Sequence, residues 1–174
     1  MRHSVEMMPT KTILRLAPLK AAAVAGLVSF FGTGLIAQDM APREGWVVLP
    51  TAKTYDDLVR DVKSEVTARG LIVVTEAGPT KAAARRGISI PGNRVIGVFN
   101  NDFAVRMLST STAAMIEAPV RFYVTENADG TATLSYKTPS FVFAPYMDEG
   151  GDALKSLAAE LDDVFASIAE AAAQ

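Results

Sequence analysis

The residues able to do chemistry in this chain are few. Asn100-Asn101-Asp102 is the most polar cluster at the end of a predicted strand, where α/β-type folds often place ligand groups. Arg121, Tyr123 and Thr125 alternate along another predicted strand. They therefore share one sheet face, suited to a small ligand or a protein interface. Asp148-Glu149 and Asp162-Asp163 offer oxygen ligands to a hard cation, without the spacing of a calcium loop. Ser109, Ser111 and Ser135 are hydroxyls lacking a histidine base, and no motif joins them to Lys81, Lys137 or Lys155. His3 is the only histidine, and cysteine is absent. Triads, thiol chemistry and the usual zinc, copper and haem ligands are thereby removed from the chain beyond its N-terminus. No catalytic, cofactor-binding or metal residue is assigned. Asn100, Arg121 and Tyr123 stand as candidate ligand or interface residues.

Each candidate has a plainer reading. Asn100-Asn101-Asp102 suits a helix cap, and Asp102 with Arg106 suits a surface ion pair. Tyr123 suits an ordinary exposed sheet face. The apolar run Phe141–Tyr146 is either the lip of a hydrophobic pocket or an edge strand or loop packed into the core.

The elements that position these residues follow from periodicity. Trp46–Leu49 is a brief strand stopped by Pro50. Thr54 caps a helix whose apolar residues fall at 55, 58, 59, 62 and 66, with Gly70 just past its end. Leu71–Val74 and Arg94–Phe99 are strands, the second carrying Gly97 as a bulge or close backbone approach. Between them Pro79 opens a short helix that ends at Gly87. A further short helix carries Phe103, Met107 and Leu108. The clearest local signal is a hairpin over 120–137 with Ala128-Asp129-Gly130 as its loop. That loop pairs Phe122 with Tyr136 and Val124 with Leu134 on one side. It leaves Tyr123/Ser135, Thr125/Thr133 and the like-charged Arg121/Lys137 on the other, and a one-residue slip mixes the two sets. A long closing helix from about Asp152 buries Leu154, Leu157, Leu161, Val164, Phe165 and Ile168. The pattern predicts an α+β fold, a mostly antiparallel sheet with helices on one face.

The N-terminus carries Arg2, Lys11, Arg15 and Lys20 against Glu6, then the uncharged run Ala21–Ala37. This is the pattern of a signal peptide over residues 1–37, directing the chain to the periplasm or outside the cell by a Sec-type route. The match is imperfect, since Leu35 sits where a small residue is usual. The alternative is an inner-membrane anchor over 21–37; that run is short, and Gly26, Gly32 and Gly34 weaken it. Residues 38–45 read as a polar linker and 46–174 as a single domain. Residues 38–174 hold 13 basic and 18 acidic side chains, which disfavours nucleic acid and anionic membranes as partners.

Three features occur in order: Val95-Ile-Gly-Val-Phe-Asn100, Ala118-Pro119 before a strand, and Ser135-Tyr136 with Pro139 beyond. Gly87 ends an alanine-rich helix. With these the chain resembles the domain-of-unknown-function 302 (DUF302) family, loosely from Trp46 to the C-terminus. The resemblance implies a TATA-binding-protein-like α+β fold and homodimers, and supplies no activity. Two positions depart from it. Asn101 stands where many members have proline, and Glu76-Ala77-Gly78 where many have a histidine. Three functions stay open: a non-catalytic module binding a small ligand or a periplasmic protein, a carboxylate/Lys/Arg hydrolase or isomerase, and a structural or envelope-stress accessory protein. The first demands no chemistry the chain lacks, and an enzyme is the weaker reading.

Overall fold

The computed structural model describes residues 40–174. The predicted signal peptide or anchor over 1–37 lies outside them. Among the described residues, five strands form one antiparallel sheet: β1 (Trp46–Thr54), β2 (Ile72–Ala77), β3 (Asn93–Phe99), β4 (Val120–Glu126) and β5 (Thr131–Lys137). Their order is β1-β5-β4-β3-β2. Helix α1 (Tyr55–Ala68) links the two edge strands, and α2 (Thr80–Ala84) joins β2 to β3. Helix α3 (Asn101–Thr110) and a 3₁₀ turn (Ala113–Glu117) join β3 to β4. The short α4 (Pro139–Phe143), a 3₁₀ turn (Ala144–Tyr146) and α5 (Met147–Ala173) close the chain.

The α+β architecture expected from periodicity is present. Helices α1 and α5 cover one sheet face, where Leu58, Val62 and Val66 meet Phe122, Val124, Leu134, Phe165 and Ile168. A second cluster gathers Met107, Ala114, Phe143, Leu154, Leu157 and Leu161. Thr54 caps α1, its Oγ1 accepting from Asp57 N at 3.3 Å. The hairpin has the expected register: Phe122 pairs Tyr136, Tyr123 pairs Ser135 and Val124 pairs Leu134. Its loop turns through Gly130 at φ +83°, a left-handed conformation that glycine adopts without strain. Tyr136 is buried under the helices, while Tyr123 alternates onto the opposite face.

Three expectations are corrected. Strand β1 does not stop at Pro50; it runs to Thr54 through a register shift. An edge strand tolerates proline because the missing N–H faces no partner. Strand β2 runs to Ala77, with an irregularity between Val73 and Thr75 opposite β3. There a Cβ on Gly97 would lie 2.2 Å from Thr75 Oγ1 and 2.9 Å from Pro119 Cγ, so Gly97 marks a close approach. Phe141–Tyr146 is helical rather than a strand or loop: Thr138 Oγ1 accepts from Phe141 N, and Pro139 occupies the first turn. On α3, Ala104 and Met107 are buried and Leu108 faces outward at 49% exposure. Helix α5 is interrupted at Gly151 (φ +55°), so its straight portion starts at Asp152 as expected.

Candidate functional site

The open face of the sheet, opposite the helices, carries the richest set of functional side chains. Arg121 and Lys137 lie one register step beyond the Phe122–Tyr136 pair, and both line one space. The β1–β5 pairing sets Trp46 opposite Lys137, and the β3–β4 pairing sets Val95 opposite Tyr123. Trp46, Val95, Arg121, Tyr123 and Lys137 together line a groove of about 500 Å³. Lys137 Nζ lies 5.7 Å from the centre of the Trp46 ring, and Arg43 lies 5.2 Å from it. The Tyr123 hydroxyl accepts a hydrogen bond from Asn93 Nδ2. Neither Arg121 nor Lys137 forms an ion pair among the described residues. Glu117 also lines the groove, and its carboxylate accepts from Tyr146 Oη at 2.8 Å. Beside Tyr123 across the hairpin, Ser135 is fully buried, and its hydroxyl has no partner among the described residues.

Asn100 does not join this groove. Its Oδ1 accepts from Asp102 N at 2.8 Å and Phe103 N at 3.1 Å, capping α3. Its Nδ2 donates to Gly70 O at 2.9 Å. The amide thus ties the start of α3 to the turn before β2. Replacing Asn100 with alanine is expected to cost about 1–2 kcal/mol, by loss of the cap and the tie. Urea unfolding reads this directly, and a loss under about 0.5 kcal/mol would show the cap to be dispensable.

Asn100 instead lines a second, apolar cavity of about 50 Å³ on the helix side. Leu71 and Phe165 come to it from the first core cluster, and Met107, Phe143 and Leu161 from the second. Phe143 places the Phe141–Tyr146 run at a hydrophobic pocket, one of the two roles read from its sequence. The cavity is the seam where the two clusters fail to close.

Several of the other charged side chains are tied into the fold. Arg106 pairs with Glu160 of α5 at 2.6 Å rather than with Asp102. Asp162 Oδ1 accepts from Ser140 N at 2.9 Å, and Glu149 accepts from Ser111 Oγ at 2.7 Å. Glu76 pairs with Lys63 at 2.6 Å and Arg94 at 3.1 Å. The Lys63 hydrogen bond, foremost, holds the Glu76 carboxyl below its usual range. Sequence reading missed Trp46 and Lys137 as site residues, because neither is close in sequence to Arg121. Only the like-charge pairing of Arg121 with Lys137 hinted at the site.

The family described as domain of unknown function DUF302 matches this chain over residues 47–172. The chain belongs to the DUF302 family. The open groove, the capped α3 and the seam cavity all lie within or at the edge of this DUF302 match. A similar solved structure is the "uncharacterized conserved protein DUF302 from Bacillus stearothermophilus". It shares 16% identity and a TM-score of 0.66, covering 76% of this chain and 100% of that one. At that identity the likeness speaks for the DUF302 fold alone. No curated protein matches the chain.

Proposed function

We propose that this DUF302 protein is a non-catalytic binding module, and that the groove on its open sheet face holds a small anionic ligand. One observation carries the reading. Arg121 and Lys137 line one groove, one register step beyond the Phe122–Tyr136 pair, without an ion-pair partner among the described residues, next to Trp46 and Tyr123, in a chain of net charge −2. Like charges across a strand pair are unfavourable unless something between them is negative. Aromatic walls would cover the apolar part of such a ligand. Export, with residues 1–37 removed, belongs to the same proposal and rests on the basic and apolar pattern of those residues.

Native mass spectrometry of the full chain, recovered from cells under gentle conditions, tests the binding reading. A reproducible extra mass is expected, lost in the Arg121→Ala/Lys137→Ala double variant. That variant should melt within about 2 °C of the parent, since both side chains are exposed. An apo dimer whose open face is protected from hydrogen exchange would assign the face to a second copy instead. An apo monomer that gains no mass from added carboxylates would overturn the proposal.

A further inference from the structure

The groove and the seam cavity open at the same end of the sheet. Strand β4 begins there with Val120 and Arg121, β5 ends there with Lys137, and β1 starts there with Trp46. Strand β3 ends there with Phe99, which lines the seam. Val120 lines both spaces: its neighbour Arg121 belongs to the charged groove, while Val120 itself borders the apolar seam. One residue thus separates two cations that have no ion-pair partner among the described residues from an apolar cavity.

We infer that the ligand is a small amphipathic carboxylate, its head on Arg121 and Lys137 and its alkyl tip past Val120 in the seam. This rests on the binding reading above and names the ligand class. Charge selects the head: among the described residues of the groove, two cations face one acid, Glu117, whose carboxylate already accepts from Tyr146. Chemistry selects the tip: of the described residues lining the seam, only Asn100 is polar, and its amide is held by the α3 cap and Gly70 O. Size limits the tip: about 50 Å³ takes a few carbons, not a long chain. Met107 and Met115 in the wall are unbranched and adaptable, so the seam can widen modestly.

The test is calorimetric titration of the full chain with acetate, butyrate, hexanoate and octanoate, alongside hexanol. Affinity is expected to rise about 3–4-fold per added methylene until the seam is full, then level off. Hexanol should bind at least 10-fold more weakly than hexanoate, for want of the charged head. Ala104→Leu, which builds into the seam, should flatten the chain-length dependence and leave acetate binding unchanged. Should that variant fail to fold, Ala104→Val fills less of the same seam and should flatten the dependence to a smaller degree. If all four carboxylates bind equally and lose affinity together on Arg121→Ala, the head site stands and the seam inference fails. If affinity follows chain length but ignores Arg121 and Lys137, the amphipathic assignment fails. If none binds, while anionic phospholipid vesicles do, the surface is a membrane contact and the inference is overturned.

Discussion

Phe122→Ala is expected to lower the thermal midpoint by on the order of 10–20 °C, the largest effect of any single truncation considered. Phe122 is fully buried at the centre of the sheet, in the β4 position that faces α1 and α5. Its ring stacks on Phe165 at 4.5 Å between centroids and meets Tyr136 edge-on at 5.3 Å. Alanine removes the transfer energy of the ring and leaves a cavity that strand and helix cannot close together. Such changes cost about 3–5 kcal/mol, a large share of a typical domain's total stability. Phe122→Leu should recover much of the loss, because most of the volume returns. Calorimetry of the three proteins checks this. An alanine variant melting within about 3 °C of the parent would mean that the sheet–helix interface is not the cooperative core.

The second large effect is alkaline. Burial, foremost, pushes the Tyr136 phenol up to about 12, and Asp162 and Glu170 add to it by opposing a negative charge. In the unfolded chain the same phenol titrates near pH 10. Below about pH 10 both states keep the proton, so Tyr136 contributes no pH dependence. Between about pH 10 and 12 the unfolded chain releases the proton and the folded one retains it. Stability is therefore lost as pH rises through that window, by about 1.4 kcal/mol per unit and roughly 2–3 kcal/mol in all. Tyr136→Phe removes the titrating group. Urea unfolding of both proteins in steps from about pH 9 to 12 should show the parent falling faster than the variant. Parallel curves would mean that the phenol ionises as easily in the folded protein as in the unfolded one.

The hairpin shows what local pattern can specify. Alternation over 120–137 and a three-residue loop leave one register that buries Phe122, Val124, Leu134 and Tyr136 together, and that register is present. The same holds for the stripe of α5 and the Thr54 cap, where spacing and a single hydroxyl suffice. Pattern misled where the deciding partner was distant. Pro50 reads as a strand end, yet β1 continues past it along β5. Arg106 reads as the partner of Asp102 four residues away, yet Glu160 on α5 holds it. The apolar Phe141–Tyr146 run has no clear period, and capping by Thr138 with Pro139 made it helical.

The candidate site divides in the same way. Arg121 and Tyr123 were legible because period-2 alternation puts them on the face away from the core. Asn100 read either as a ligand group or as a helix cap, and its hydrogen bonds fill the role of the cap. Lys137 beside Arg121 follows from the hairpin, whereas Trp46 arrives through a strand that begins some ninety residues earlier in the chain.

By itself, the sequence determined which chemistry is closed to residues 38–174, which faces of helix and strand are apolar, and how the hairpin pairs. Those are matters of residue type and spacing, and they act over a few residues at most. Tertiary structure alone decided that β1 closes the sheet against β5, that Trp46, Arg121 and Lys137 share a groove, and that two core clusters meet imperfectly behind Val120. Those depend on how the helices fill the volume over one sheet face. Packing of that kind is settled jointly by side chains far apart in the chain, and no local pattern records it.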